Sequence, residues 1–341
     1  MKNMKKRFLL MLAIMATATV TYAQQVATLT HDKTITAYYG GSALTEALKV
    51  AVDGDVITLS DGVFDVTTID KAVSIIGAGM EYVNGKHTKR TSLACSSTSY
   101  IKIAVDGVLN VMNVNFMQGL HLQKVLSSSN FVKCRFNGTT FYNNSGSANC
   151  KNVTFLQCRM SYLYHKSGDM ACYQNCLIEA GTNYNDFSIA KGSSISFINC
   201  TISANFYDCY TGTFANSVLC YSGTYSCTIQ SSNTCSATNC LSFIKANHST
   251  TILDNVQRTN CYSYVSKWMF KDDSFYELTD EAKAAVSSSD GTEVGMYGGA
   301  YPYDPIPEGP RITKFNVAKS SDTENKLNVE VEVTNGNTTS E

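Results

Sequence analysis

The chain has 341 residues, with 27 basic and 28 acidic side chains and a formal net charge of −1. That balance excludes nucleic acid as the main partner, because phosphate recognition needs a basic footprint. Charged residues make up only 16%, against about 25% in ordinary globular chains. The polar surface is therefore mostly Ser, Thr and Asn, which suits β structure and neutral ligands better than electrostatic steering.

Lys2, Lys5, Lys6 and Arg7 form a basic start, Phe8 to Ala18 an apolar run too short to span a bilayer, and Thr21-Tyr22-Ala23 a small-residue cleavage site. This order predicts a signal peptide over residues 1–23 and an extracytoplasmic mature protein, whether secreted, periplasmic or on the outer surface. The first cysteine is Cys95, which argues against a lipid anchor, and no later stretch predicts a transmembrane segment. Ser42 to Ala51 reads as a short amphipathic helix, with Ser42 as N-cap, Leu44, Ala47, Leu48 and Ala51 on one face and Asp53-Gly54 as the stop. Val56 to Leu59, Val63 to Val66, Val73 to Ile76 and Tyr100 to Val105 follow as short strands between turn signals.

An internal repeat then dominates. Segments of alternating pattern centre on Val114, Cys134, Cys158, Cys176, Cys200, Ser217, Cys240 and Cys261, at intervals of 17 to 24 residues. Alternation within each segment marks a strand with one buried face. The interval is too short for a crossover through a helix, so the chain is expected to coil, each turn stacking on the last with the right-handed hand of parallel connections. The leucine-rich-repeat grammar, which has a similar period, is missing. The predicted fold is all-β: a single-stranded right-handed parallel β-helix of about ten coils, roughly 45–50 Å long, with short N- and C-terminal capping helices.

Six of the 13 cysteines (Cys134, Cys158, Cys176, Cys200, Cys240 and Cys261) share one repeat position with Val114 and Ser217. A vertical file of identical residues reads as core stacking by a small hydrophobe, not as a metal site, and its parallel Cβ vectors disfavour disulfides. Cys172, Cys209, Cys220, Cys227 and Cys235 lie off that file and are better disulfide candidates. The residue before the file is Asn at 113, 175, 199, 216, 239 and 260. Asn tolerates a bend, and its amide can bond the copies above and below.

Towards the end, Thr279 to Val286 predicts a second short helix, and Asp290 to Pro310, rich in Gly, Tyr and Pro, is expected to wrap the last coil. Ile312 to Val317 and Leu327 to Val333 predict a hairpin, or a fragment of an Ig-like module. The expected organisation is 24–267 for the N-cap and β-helix, 268–310 for the C-terminal cap and 311–341 for the hairpin.

Leu44-Thr45-Glu46-Ala47-Leu48, Asp53 to Leu59, Asp61-Gly62-Val63-Phe64 and Val73 to Gly79 together resemble the start of pectin-lyase-like right-handed β-helix proteins. The tail Asp290 to Gly299 is similar to the end of secreted, largely uncharacterised β-helix proteins of Bacteroidetes-type bacteria. The resemblance spans roughly residues 35–335 and implies a fold, while activities across such proteins range from lyases and hydrolases to adhesins.

The catalytic sets of that group are not matched. Of the polygalacturonase elements Asn-Thr-Asp, Asp-Asp and Gly-His-Gly, only Asp272-Asp273 is present, and no carboxylate cluster for Ca²⁺ falls on consecutive coils. Asn183-Tyr184-Asn185-Asp186 and Asn205-Phe206-Tyr207-Asp208 recur at a spacing of 22, one coil, as do Tyr162, Tyr184 and Phe206. Stacked in register, Asp186 and Asp208 would stand ~5 Å apart, like a retaining glycosidase pair. The aromatics would make either a sugar-stacking ladder or an inward core stack. Arg135 and Arg159 are expected to point outward on adjacent coils, as an acidic-glycan clamp or as plain surface charge. His165, Lys166 and Asp169 read as a loop cluster without a fixed partner. The candidate ligand residues are Tyr162, Tyr184, Tyr207, Arg135 and Arg159; no cofactor or metal is implied. The leading expectation is a non-catalytic exported protein that binds a polysaccharide or cell-surface glycan along one side. The alternatives are a polysaccharide lyase or glycoside hydrolase using Asp186 and Asp208, and a structural stalk or adhesin presenting the hairpin.

Overall fold

The computed structural model describes residues 25–83, 89–141, 149–180, 185–223, 228–229, 234–245, 250–272, 274–308 and the strands Arg311–Val317 and Val329–Thr334. Residues 1–23, where a signal peptide is expected, lie outside these residues, as do Tyr184 and Cys227. The protein is mostly β, with long parallel sheets and few helices.

Two open sheets carry the architecture, one of twelve strands and one of eleven. The chain visits them alternately. Strands Asn130–Val132, Val153–Leu156, Met170–Gln174, Ser194–Ile198, Thr211–Ala215 and Thr234–Thr238 follow one another in the first sheet. Arg135–Thr140, Arg159–His165, Leu177–Ile178, Thr201–Ser203, Val218–Tyr221 and Leu241–Ile244 do so in the second. A third side begins as a short parallel sheet of Thr68–Ile69, Tyr100–Ile103 and Gly119–Leu122. Pairing is in register with the repeat: Phe131 faces Phe155, Phe155 faces Tyr173, Tyr173 faces Phe197, and Phe197 faces Phe214.

These residues build one core file. Their rings stack at centroid distances of 5.2, 4.5, 5.1 and 5.1 Å, with ring planes nearly parallel, and all five are fully buried. Each lies three residues before the cysteine column, a period that the reading of the cysteine segments alone did not extract.

The corner between the two long sheets explains the Asn-Cys pair. Asn113, Lys133, Gln157, Asn175, Asn199, Asn216, Asn239 and Asn260 all have φ between 49° and 59°, the left-handed region that Asn tolerates best among residues with a side chain. The bend leaves the following N–H without a ladder partner. The column residue of the next rung takes it. Cys134, Cys158 and Cys240 donate their N–H to the sulfurs of Cys158, Cys176 and Cys261, each at 3.4 Å, and Cys200 donates to Ser217 Oγ at 3.1 Å. Ser217 thus does the same work as a thiol. Among the described residues the corner Asn amides bond one another at the far end, Asn260 to Asn239 (2.7 Å) and Asn239 to Asn216 (3.1 Å).

Elsewhere the Asn file is used differently, and here the wrapping segment departs from expectation. Residues 287–308 do not stay beside the last strands of the two long sheets but run back along the corner file. Gly295 N–H bonds Asn216 O, Asn175 Nδ2 donates to Met296 O and Gly298 O, Gln157 Nε2 to Tyr301 O and Pro302 O, and Lys133 Nζ to Ile306 O. The left-handed corners expose polar groups that an extended strap can satisfy.

At the N-terminal end, Val26–His31 and Thr34–Tyr39 form an antiparallel hairpin that pairs with Val56–Leu59 and covers that edge, an element the sequence reading did not identify. Helix Ala43–Val50 buries Ala43, Leu44, Ala47 and Leu48; Ser42 stands at its N-cap but makes no side-chain capping bond. Helix Asp280–Ala285 is capped by Thr279, whose hydroxyl accepts from Ala282 N–H. Arg311–Val317 and Val329–Thr334 pair antiparallel. Among the described residues no helix is long and apolar enough to cross a membrane.

The disulfide expectation is corrected. Among the described residues Cys172, Cys209, Cys220 and Cys235 form no disulfide. Cys172 sits in a parallel ladder between Thr154 and Ser196, and Cys220 between Ser203 and Phe243, so neither faces a thiol across a strand. Cys209 and Cys235 touch, Sγ to Sγ at 3.7 Å, without a bond.

Candidate functional site

The strip that brings most sequence-predicted residues together lies on the third side, beyond strand Arg159–His165. That strand pairs with Arg135–Thr140, placing Thr139 beside Tyr162, and with Phe187–Ile189, placing Leu163 beside Phe187 and Tyr164 beside Ser188. Leu163 N–H donates to Asp186 O at 2.9 Å, so Asp186 stands one rung from Tyr162. A bridge from Ile189 to Cys209 then sets the next rung and puts Asp208 beside Ser188.

Alternation decides which side chains reach solvent. Leu163, Phe187, Ile189 and Cys209 point inward and are fully buried, while Tyr162, Tyr207 and Tyr210 are 39%, 41% and 38% exposed. The loop carrying the last two is pinned by Phe206, whose ring packs at 5.1 Å from Phe187, and by Asn205 Oδ1, which accepts Tyr207 N–H at 3.2 Å. The strip Thr139, Tyr162, Asp186, Ser188, Tyr207, Asp208 and Tyr210 spans four rungs, about 15 Å.

Two parts of the earlier picture change. The 22-residue spacing does not define the local register, which is 20 between Ile189 and Cys209. Asp186 and Asp208 are therefore two residues out of step, with Cα atoms about 8 Å apart instead of ~5 Å. Asp186 is nearly buried at 8% exposure, whereas Asp208 is part exposed and its carboxyl is raised above the ordinary carboxylate range by desolvation. The aromatic ladder also divides: Tyr162 faces outward and Phe206 lies in the core, because a strand's faces alternate and a loop resets the phase.

Arg135 and Arg159 do stand side by side, one rung apart. They are not a free clamp. Both guanidinium groups bond the Glu81 carboxylate, at 3.1 and 3.0 Å, and Arg159 Nε bonds Glu179 at 2.6 Å. Phe275 lies over the Arg159 guanidinium at 5.2 Å, and Tyr276 and Tyr303 hydroxyls reach Glu179 and Glu81. The arginines hold the C-terminal segment onto the sheet. Asp272 lines a shallow groove with Trp268, Phe270 and Tyr276, away from the strip; Asp273 lies outside the described residues.

His165 and Asp169 are likewise not a solvated loop cluster. Strand alternation turns His165 inward, where it is fully buried, and Asp169 is 2% exposed. His165 Nδ1 lies 3.2 Å from Asp169 Oδ2 and 3.7 Å from Cys150 Sγ, and its Nε2 lies 2.6 Å from Tyr173 Oη. Burial raises the Asp169 carboxyl, but hydrogen bonds from His165 and from the Cys150 and Lys166 N–H groups outweigh it, and the net shift is downward. Burial, and then the Asp169 charge, push the Cys150 thiol up. A high-pKa, buried thiol that shares one imidazole nitrogen with a carboxylate is no hydrolytic triad, in which thiol and carboxylate use opposite nitrogens. Among the described residues this is the one cluster with metal-ligand chemistry. The sequence reading missed Cys150 and Tyr173; the inward phase of Leu163 and His165 was the available signal.

No protein-family model and no curated protein matches the chain.

Proposed function

We propose that the chain is an exported right-handed parallel β-helix protein that binds carbohydrate, or a glycan-bearing surface component, along the strip of Tyr162, Tyr207 and Tyr210. The winding is supported by the alternation of strands between the sheets and by parallel pairing at each repeat, for which right-handed crossovers are the rule. The likeness of the N-terminal coils and the tail to pectin-lyase-like proteins supports the same reading. Export rests on the basic and apolar start of the sequence.

One observation carries the binding assignment: three part-exposed tyrosines on one side, Tyr162 two rungs from Tyr207 and Tyr210, with Ser188 on the rung between, Asp208 beside it and an inward anchor at Phe206. Aromatic faces stack on the apolar faces of sugars, and adjacent hydroxyl and carboxylate groups take their hydroxyls. The low charge of the chain agrees with a neutral ligand.

A glycan array on the purified protein, followed by titration of the best ligand, tests this. Tyr162→Ala and Tyr207→Ala are each expected to weaken binding about 3–10-fold and to leave the far-ultraviolet spectrum unchanged. The raised carboxyl of Asp208 keeps the lyase or hydrolase reading in view. New reducing ends or unsaturated sugars that vanish in Asp186→Asn and Asp208→Asn would establish it in place of simple binding. No glycan bound at all would leave the stalk.

A further inference from the structure

We infer that Cys150, His165 and Asp169 form a binding site for a single transition-metal ion, zinc by its donor set, inside the stack. Cys150 comes from the short strand Cys150–Lys151, His165 from the end of Arg159–His165, and Asp169 from the turn that follows. Their sulfur, Nδ1 and carboxylate oxygen all fall within 4.8 Å of one another. A tetrahedral ion with ordinary zinc bond lengths requires about 3.6 Å between sulfur and nitrogen and about 3.3 Å between nitrogen and oxygen. The corresponding distances here are 3.7 and 3.2 Å.

The surroundings point the same way. When a metal binds, the His165 ring proton can pass from Nδ1, where it faces Asp169, to Nε2, where the Tyr173 hydroxyl can accept it, and the Nδ1 lone pair is then aimed at the gap. Asn149 Nδ2 (3.1 Å) and Cys150 N–H (3.0 Å) donate to Asp169 Oδ1, and Lys166 N–H (3.0 Å) donates to Oδ2, which fixes the carboxylate with Oδ2 on the His165 side. Charge balances as well. A divalent ion with one thiolate and one carboxylate makes a neutral set, which suits a site whose three members are 0%, 0% and 2% exposed. Binding exchanges the Cys150 S–H proton for a sulfur–metal bond and releases that proton to solvent. Sulfur and imidazole select zinc or its neighbours over calcium and magnesium, which want oxygen. Three protein donors leave one position for water.

The experiment uses the full-length protein. Elemental analysis after exhaustive dialysis is expected to find one zinc per chain, and chelation to lower the melting temperature. Reloading with Co²⁺ is expected to give a thiolate-to-cobalt charge-transfer band that saturates at one equivalent. Cys150→Ser is expected to abolish the band, and Cys172→Ser, which alters a thiol outside the cluster, to leave it intact. Should Cys150→Ser fail to fold, Tyr173→Phe reads the site instead, with affinity down about 10–100-fold. No retained zinc together with no band, a band that survives Cys150→Ser, or unchanged affinity in Tyr173→Phe would overturn the assignment.

Discussion

Phe155→Ala is expected to lower stability by about 3–5 kcal/mol and the melting temperature by about 5–8 °C, given the unfolding entropy of a chain this long. Phe155 is fully buried at the centre of the inner file. Its ring stacks on Phe131 at 5.2 Å and Tyr173 at 4.5 Å, and meets Phe136 at 5.8 Å and Phe141 at 5.5 Å. Alanine would open a cavity across three rungs, and the rungs cannot close it because their spacing is set by backbone pairing. The file supplies its own control. It already ends in a small residue, Ala237, which pairs with Phe214, so Phe214→Ala removes a ring with a stacked partner on one side only and should cost less. Thermal unfolding followed by circular dichroism compares the two. Equal losses would mean that stacking along the file adds nothing to simple burial.

The second large effect concerns Glu81. Its carboxylate joins Arg135, Arg159 and the Tyr303 hydroxyl, so one side chain ties two rungs of the second sheet to the strap. The two arginine side chains are 30% and 21% exposed and Glu81 is 11% exposed. The cost of Glu81→Gln should therefore lie between the values for surface and buried pairs, about 2–3 kcal/mol. If that loss falls on the strap, its local opening rises about 30–150-fold. Chymotrypsin should then cleave after Tyr297 or Tyr303 correspondingly faster in Glu81→Gln, while the two long sheets stay intact. Lys267→Ala breaks an exposed pair with Glu281 and should leave the cleavage rate unchanged. A strap that resists protease equally in Glu81→Gln would show that the backbone bonds to Asn175, Gln157 and Lys133 suffice to hold it.

The stacking was legible in the sequence because one corner imposes two residue types at once. A left-handed φ selects Asn, and the N–H stranded by that bend selects a thiol or hydroxyl on the next rung, so Asn-Cys recurs wherever the chain turns. The aromatic file had the same period and lay three residues upstream, at Phe131, Phe155, Tyr173, Phe197 and Phe214. It escaped notice because alternation was read only two residues to either side of the cysteines. What lies between the strands was less legible. Loop lengths shift the register, as at Asp186 and Asp208, where a 22-residue spacing covers a 20-residue pairing. The strap has no period, so its path along the corner follows from hydrogen-bond supply, which the sequence displays only after the corners are known. Cys150, His165, Asp169 and Tyr173 come from three different strands and one turn, and only the pairing register brings their side chains to one point.

Ring-to-ring nuclear Overhauser effects in protein labelled at Phe and Tyr test the stacking most directly. Cross-peaks are expected between Phe131 and Phe155, Phe155 and Tyr173, Tyr173 and Phe197, and Phe197 and Phe214, whose ring centres lie 4.5–5.2 Å apart. Assigned spectra without these contacts, in folded protein, would contradict the in-register stack on which the strip, the strap and the metal site all depend.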